Sequence, residues 1–489
     1  MRTLGIKWHL KVRQTFYILG RSQKLTMKAL FLLTCLVSTN LSLFSQTELE
    51  PIDIGWTDKK IELFSFADKD QKQHGLFLSG TDSIKGFVMN DEGAIAHTYG
   101  ISRLDGDKML GGFIKGGKTY IYLYNTSDQA FHVVVFEGDS IRENPIHAGM
   151  GKEKELEKLS CGDHFVYLAL TRKGSELVLY DFWDEKKFDS VRYHSEDDLW
   201  KRLTKGNIDL SRDIDVGEAG EDGDWSLEAA QNSNKLYYLH DSLFLVMNSL
   251  RGTTGVVAFD LTRKLVRSWQ IIQSNFVAPE DDRSSYSDNS FLLEGKLYYV
   301  QATFDSLFVQ VNDFYSGGLI KRFATKRKED IDFKNTQIFL TGDDKSSNES
   351  KGLDKTRQLL NKMVNGRAFI TARRGTDGRV ILTVGSYSKI TRSSGGGYFA
   401  GGGKFGGPTI YAGVGRTTTW TMSARFKAML DGTNFGHIEG DIDPAISEKS
   451  EYRSGKDAME NGEAVFQLGG GYIYAYYDMT AKMLRLTKL

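Results

Sequence analysis

Short apolar and aromatic runs, separated by polar turns, recur along most of the chain. In each copy, one run is followed by a polar turn and a second run that ends in Asp or Asn, and a further alternating run comes next. The run Lys108–Ile114, for example, leads through Tyr120–Asn125 to Phe131–Phe136. A period of two predicts β-strands, and short turns between them predict antiparallel hairpins.

Copies of this pattern begin near residues 107, 163, 234, 295, 366 and 471, and Lys60–Met89 offers another set of strands. One such sheet cannot bury both of its faces, so neighbouring sheets stack and the ring closes to protect their edges. From roughly residue 55 to residue 489 the chain resembles a β-propeller in architecture. We therefore predict an all-β fold of about seven four-stranded blades. Two β-sandwich domains are the alternative.

Three stretches interrupt the strand pattern and predict short helices on the propeller surface: Lys152–Lys158, Asp197–Lys205 and Gly352–Val364. The third places four apolar residues roughly on one face, namely Leu353, Leu359, Leu360 and Met363. The polar run Gly342–Lys351 predicts an exposed loop.

The first 45 residues predict an over-extended start and a secretory signal peptide that begins at Met27. The apolar run Ala29–Val37 follows a lysine, and Ser45 suits the cleavage position. This run is too short and interrupted to span a bilayer, and no later segment predicts a transmembrane helix. Cys35 makes a poor lipobox because a threonine precedes it. We expect residues 46–489 to form one exported propeller domain, in the periplasm or at the outer cell surface or beyond it.

Charge and composition limit the classes of partner that the protein is expected to bind. The chain has 63 basic and 63 acidic residues, and seven basic residues but no acidic ones lie in its first 47 positions. Removing that segment leaves 56 basic against 63 acidic groups, a net charge near −7. Interspersed charges without a basic stripe argue against a nucleic-acid partner. Cys161 would be the one cysteine left, which favours a buried, unreactive thiol.

No catalytic motif is convincing. Gly112–Thr119 fits the letters of a phosphate-binding loop, but such a loop needs a following helix, and Tyr120–Tyr124 predicts a strand. No two of the eight histidines after residue 46 lie within five residues of each other, so no local zinc motif exists. The G-x-S-x-G motif is absent as well. The sequence assigns no catalytic residue and favours a protein that is not an enzyme.

Two segments remain as candidate binding sites. Residues 213–225 combine carboxylates and glycines, a composition that supplies the oxygen ligands of calcium, although the EF-hand spacing is not met. The candidate calcium ligands are Asp213, Asp215, Asp222 and Asp224. A solvated acidic loop is the alternative, and no other cofactor is predicted.

The second segment, Gly395–Gly415, has ten glycines in 21 residues and falls where the fifth copy should form its outer hairpin. Tyr398, Phe399 and Phe405 are candidate anchors for a partner on which this loop becomes ordered. A flexible, solvated loop is the alternative.

These observations favour an exported, non-enzymatic binding or scaffold propeller of the bacterial envelope, with an envelope protein as its partner. Two alternatives stay open. One is an exported carbohydrate-active hydrolase or lyase, which needs two carboxylates facing one cleft. The other is a lectin-like propeller that stacks its aromatic side chains on a glycan.

Overall fold

A computed structural model describes residues 47–488, except residues 57, 59, 104–105, 128–129, 147–152, 172–175, 195–215, 220–229, 251, 274–285, 342–350, 354, 376, 395–415, 443–457 and 469–470. Within these ranges the chain forms 31 β-strands and one ten-residue α-helix.

The first strands are β1 (Thr47–Glu48), β2 (Ile52–Asp53), β3 (Glu62–Ala67), β4 (Gln73–Ser79), β5 (Ser83–Asn90) and β6 (Ile95–Ser102). They are followed by β7 (Asp107–Lys115), β8 (Lys118–Asn125), β9 (Ala130–Glu137), β10 (Ser140–Ile146), β11 (Lys154–Cys161), β12 (His164–Leu170), β13 (Glu176–Phe182) and β14 (Phe188–His194). The middle of the chain forms β15 (Val216–Ala219), β16 (Asn234–Leu239), β17 (Ser242–Leu250), β18 (Thr253–Asp260), β19 (Leu265–Ile272), β20 (Tyr286–Leu293), β21 (Lys296–Thr303), β22 (Ser306–Asp313) and β23 (Leu319–Lys326). The last elements are β24 (Ile338–Thr341), β25 (Lys351–Leu353), α1 (Thr356–Asn365), β26 (Arg367–Arg374), β27 (Val380–Ser394), β28 (Arg416–Leu430), β29 (Ala458–Leu468), β30 (Gly471–Asp478) and β31 (Met483–Lys488).

These strands form seven sheets, the blades of a β-propeller, which confirms the predicted fold and blade number. Blades 1, 2, 3 and 5 are four-stranded meanders, made of β3–β6, β7–β10, β11–β14 and β20–β23. The other three blades have five strands each. Blade 4 adds the parallel strand β15 to β16–β19, and blade 6 takes its outer strands, β24 and β25, from the segment before its inner strand β26.

Blade 7 joins the two ends of the described chain. Its strands β29–β31 come from the C-terminal region, while β1 and β2 pair with β31 from the other side. Thr47 lies opposite Lys488, and Ile52 lies opposite Leu484. Because the outer strand comes from the N-terminal end, separating the ends would break a ladder of backbone hydrogen bonds.

Among the first strands of the blades, β29, β3, β7, β11 and β15 contact one another in turn, and β20 contacts β26, so that these strands line the inside of the propeller. Between the sheets lie separate apolar clusters, such as Phe87 and Met89 of blade 1 packed against Ile473 and Leu484 of blade 7. Burying one such side chain contributes about 1.5–3 kcal/mol. The contact between blades, and not any single sheet, therefore holds the fold together.

The aspartates that close the second run of the sequence pattern have a common structural role. Asp260 accepts hydrogen bonds from the amides of Thr262 and Arg263, and Asp478 does the same for the two residues that follow Met479. A short carboxylate that accepts turn amides fixes the turn after a strand. This recurring turn explains why the sequence pattern was visible.

The predicted copies do not all begin where a blade begins, however. Copies that begin near residues 107 and 366 start on the inner strand of a blade, whereas those near 163, 234, 295 and 471 start on the second strand. Neighbouring strands such as β12 and β13 are both buried almost along their whole length, so their apolar runs reveal strands but do not mark where a blade begins.

The predicted helices had different outcomes. Lys152–Lys158 is wrong, because the described part of it lies in β11, where a bulge between Glu155 and Glu157 shifts the register. The bulge puts buried Leu156 three residues before buried Leu159, and this spacing imitates a helix.

The helix predicted at Gly352–Val364 is confirmed from Thr356 onward as α1, whose residues Leu359, Leu360 and Met363 are fully buried. Its predicted start is wrong, because Gly352 and Leu353 lie in strand β25. Asp197–Lys205 and all of the Gly342–Lys351 loop except its last residue lie outside the described residues. No described helix is long and apolar enough to cross a membrane.

Candidate functional site

The residues predicted from sequence as binding sites lie outside the described structure. This holds for Tyr398, Phe399 and Phe405, and for the candidate calcium ligands Asp213, Asp215, Asp222 and Asp224. The prediction that the glycine-rich segment belongs to an outer hairpin is wrong, because it connects the second and third strands of blade 6, whose outer strands are β24 and β25. Strands β27 and β28 pair until Ser394 lies opposite Arg416, so residues 395–415 connect their ends. In the described residues, no group of three or more His, Cys, Asp and Glu side chains is arranged to hold a metal ion.

Two smaller predictions are confirmed. Gly112–Thr119 runs from β7 into β8 through a turn at Gly116 and Gly117, both with positive φ, so it is a hairpin and not a phosphate-binding loop. Cys161 is buried, with 3% of its surface exposed.

Charged side chains gather where the hairpin turns of blades 1 to 4 approach one another. Lys115 Nζ lies 2.9 Å from Asp163 Oδ2, and Lys69 Nζ lies 3.4 Å from Asp241 Oδ1. Tyr238 donates a hydrogen bond of 2.9 Å to the same Asp241 oxygen. Lys69 belongs to the first turn of blade 1 and Asp241 to blade 4, so this ion pair links turns three blades apart.

We define the ion cluster as these charged residues together with His164, Asp181, Asp189 and Lys264. Asp181 is its most buried carboxylate, with a side chain only 1% exposed. His164 Nδ1 lies 2.7 Å from its Oδ1, and Lys264 Nζ of blade 4 lies 2.6 Å from its Oδ2. Lys264 also lies 3.1 Å from Asp189. Burial alone would lower the pKa of Lys264, but its hydrogen bonds to the two aspartates outweigh burial and raise it. The cluster therefore ties blade 3 to blade 4.

Two carboxyl groups of the ion cluster, those of Asp163 and Asp241, have lowered pKa values and are poor general acids. Burial acts to raise the pKa of Asp163, but Lys115 and His164 outweigh it and the pKa is lowered. The hydrogen bond from Tyr238 lowers the pKa of Asp241. A glycosidase acid needs a raised pKa. Glu157 on the inner strand β11 differs, because burial raises its pKa to about 7.

A second surface feature lies at the rim, between blades 4 and 5. Eight large apolar side chains are exposed in the described part of the chain, and five of them lie on β19 or around the turn between β22 and β23. We define the rim patch as Trp269, Ile272, Tyr315, Leu319 and Ile320. Ile272 is 73% exposed and Tyr315 is 58% exposed.

The rim patch is held rigidly by the residues beneath it. Trp269 donates a hydrogen bond of 3.1 Å from Nε1 to the carbonyl oxygen of Phe314. Its ring lies 5.3 Å from the ring of buried Phe314 and 6.4 Å from that of Tyr315. A side chain at Gly317, which has a φ of +72°, would lie in van der Waals contact with Ile271. The turn of blade 5 is thus seated on the outer strand of blade 4.

Sequence reasoning missed the rim patch because its members come from two blades. One signal in the sequence could have indicated it: the large apolar residues Tyr315, Leu319 and Ile320 flank a glycine-containing turn, where polar residues are expected. Only the packing of Trp269 beside that turn shows that the two hairpins share one surface.

No protein-family model matches the chain, and no curated protein matches it. Solved structures are similar at low identity. A protein from Lactobacillus plantarum is 10% identical with a TM-score of 0.30, over 66% of this chain and 80% of its own. A prolyl endopeptidase is 11% identical with a TM-score of 0.27, over 70% and 46%. A mutant Synechocystis apocarotenoid oxygenase is 8% identical with a TM-score of 0.29, over 56% and 62%. The chain spans less than two thirds of the last two proteins, and likenesses at this level assign no activity to it.

Proposed function

We propose that the protein is an exported, non-enzymatic binding or scaffold propeller of the bacterial envelope, and that it contacts a protein partner through the rim patch. The observation that carries the proposal is the aromatic pair of half-buried Trp269 and exposed Tyr315, which is fixed across two blades. Binding energy at protein interfaces concentrates in Trp and Tyr side chains of this kind. The predicted export signal supports the location.

Rigidity is what makes the rim patch a favourable contact. A mobile side chain loses rotamer freedom when a partner immobilises it, at about 0.5–1.5 kcal/mol each. Trp269 is already held by its hydrogen bond to Phe314 and by ring contacts with Phe314 and Phe244. Its binding would therefore lose little conformational entropy. Leu319 and Ile320 add exposed apolar surface beside the turn that holds Tyr315, and Ile272 adds it at the end of β19.

The test is capture of partners from the native envelope in mild detergent, with identification by mass spectrometry. Natural protein is compared with the variant Ile272→Ser/Tyr315→Ser, which leaves Trp269 and the buried contacts in place. The control is Ile95→Ser/Ile141→Ser, which removes two exposed isoleucines from blades 1 and 2. A stoichiometric partner that the control keeps and the rim variant loses supports the proposal. Equal capture by both variants contradicts it.

A carbohydrate-active enzyme is a second candidate, favoured by Glu157. A carboxyl group whose pKa lies at about 7 holds its proton in an appreciable fraction of molecules at neutral pH, as a general acid requires. We would screen the purified protein against polysaccharides and compare Glu157→Gln. Activity that this substitution abolishes would establish the enzyme and replace the scaffold proposal. Glycan binding without turnover, lost in the rim variant, would instead indicate a lectin.

A further inference from the structure

A groove of about 1110 Å³ lies at the outer edge of blade 5, where the end of β23 meets the first turn of α1. Its charged lining is mainly basic, with five cations: Lys326, Arg327, Lys328, Lys355 and Arg357. Three acids accompany them: Asp305, Glu329 and Asp330. The groove therefore has two more positive than negative charges, in a chain whose formal net charge is zero.

Part of this positive charge is not compensated locally. Arg327 lies 3.6 Å from Asp305, and the Glu329 carboxylate accepts the backbone N–H of Lys326 at 3.1 Å. Among the described residues, Lys328, Lys355 and Arg357 form no ion pair. Three cationic side chains are thus available to a ligand.

The helix adds to the positive potential. Lys355 precedes α1 in an extended conformation and provides no side-chain cap, and the first turn contains no acidic residue. The hydroxyl of Thr356 is directed to the carbonyl oxygen of Glu329, at 2.6 Å, and not to the helix amides. The N-terminal end of a ten-residue helix carries a partial positive charge and unpaired N–H groups, a combination that favours oxyanions.

A buried hydroxyl gives an independent indication of a ligand. Thr325 lines the groove and is only 3% exposed. Its Oγ1 atom has no hydrogen-bond partner within the part of the chain that the structure describes. A buried polar atom without a partner is costly and uncommon, so it points to a group that is supplied from outside the chain.

We propose that this basic groove is a binding site for a ligand bearing phosphate or sulfate groups. Lys328, Lys355 and Arg357 supply the charge, while the first-turn amides of α1 and the Thr325 hydroxyl hydrogen-bond the oxyanion. The groove is much larger than one tetrahedral anion, so the natural ligand carries this group on a larger body. The site is separate from the rim patch, since the two lie at opposite ends of β23, about 24 Å apart.

The test is calorimetric titration of the full chain with inorganic phosphate and, separately, with inorganic sulfate. Ionic strength is held constant with chloride. We expect saturable binding that weakens at least tenfold in Lys355→Gln/Arg357→Gln. The matched control is Lys72→Gln/Arg263→Gln, which removes one lysine and one arginine with side chains about 70% exposed in other blades, and it should bind as the natural protein does.

Thr325→Val separates binding from folding. Valine keeps the shape of threonine and removes the hydroxyl, so we expect weaker phosphate binding with an unchanged or higher melting temperature. The rim variant Ile272→Ser/Tyr315→Ser should bind phosphate normally, so the two proposals fail separately. The binding of polyphosphate and of a sulfated oligosaccharide is then compared. The compound that binds more tightly shows whether the site prefers phosphate or sulfate groups. Heats no larger than with chloride, or undiminished binding by Lys355→Gln/Arg357→Gln, would overturn the proposal.

Discussion

The imidazole ring of His74, on β4 of blade 1, stacks on the ring of Phe466 in blade 7, with ring centroids 3.8 Å apart and planes inclined by 14°. Only 3% of His74 is exposed, and its Nε2 lies 2.8 Å from the Ser65 hydroxyl. Burial lowers the pKa of His74 to about 3, so the ring is neutral in the folded protein at physiological pH. This contact joins the first and last blades and makes their packing sensitive to acid.

Acid should therefore weaken the fold through His74. The unfolded chain binds a proton near pH 6.5, whereas the folded chain does so only near pH 3. Between these values the unfolded state holds more protons, so the free energy of unfolding falls as pH falls. The loss from this residue at pH 5 is about 2 kcal/mol. Urea titrations between pH 4 and pH 7 should show a shallower pH dependence for His74→Gln than for the natural protein.

His97→Gln is the control for that measurement, because His97 is exposed on the outer strand of blade 1. It should keep the pH dependence of the natural protein. If His74→Gln and the natural protein lose stability in parallel as pH falls, His74 is not the titrating group.

Removing the charge of Asp181 should destabilise the contact between blades 3 and 4. Asp181→Asn leaves Lys264 beside a neutral amide and weakens the pairing with His164. Breaking a buried ion pair from one side costs about 3–5 kcal/mol. Because the Lys264 side chain is 32% exposed and water reaches it, we expect about 2 kcal/mol. Chemical denaturation measures this loss.

The matched control is Asp70→Asn, since Asp70 forms an ion pair with Lys72 at the surface and its side chain is 72% exposed. That variant should change the free energy of unfolding by less than about 0.5 kcal/mol. Equal losses in the two variants would show that the buried ion cluster does not tie the blades together.

Sequence predicted the strands well because their signal is local. The short apolar run in segments such as Lys296–Thr303 is visible in a few residues, and turn aspartates such as Asp313 mark where strands end. Blade boundaries are not local, since they depend on which strand lies innermost. The strand at Leu156 was missed because of the bulge there. One extra residue interrupts the two-residue period by which a strand is recognised in a sequence.

The candidate sites were beyond sequence reasoning because each joins segments distant along the chain. The rim patch needs Trp269 beside Tyr315, which lie on different blades. The basic groove needs Lys326 near Arg357, on either side of the segment that forms β24 and β25. Local composition singled out instead the glycine-rich and acidic segments, which remain predictions of binding sites.

Deleting residues 395–407 tests the predicted anchors Tyr398, Phe399 and Phe405. If they contact the partner, the shortened protein should lose it in envelope capture while keeping its melting temperature, because β27 and β28 still pair up to Ser394 and Arg416. The control replaces the three aromatic residues by serine and keeps the loop length. Loss of the partner in both variants assigns the contact to the aromatic side chains. Unchanged capture in both contradicts their role as anchors.

Calcium should stabilise the fold if residues 213–225 form the predicted site. Strand β15, Val216–Ala219, pairs in parallel with β16 of blade 4 and lies between Asp215 and Asp222 in the sequence. Ions held there would bind the folded chain only, and a ligand at 100 times its Kd adds about 2.7 kcal/mol to the free energy of unfolding. Thermal melts in excess calcium and in EDTA should then differ by several degrees. Asp222→Asn/Asp224→Asn should remove the difference, whereas Asp70→Asn should keep it. Identical melts in calcium and EDTA would leave these carboxylates as a solvated acidic loop.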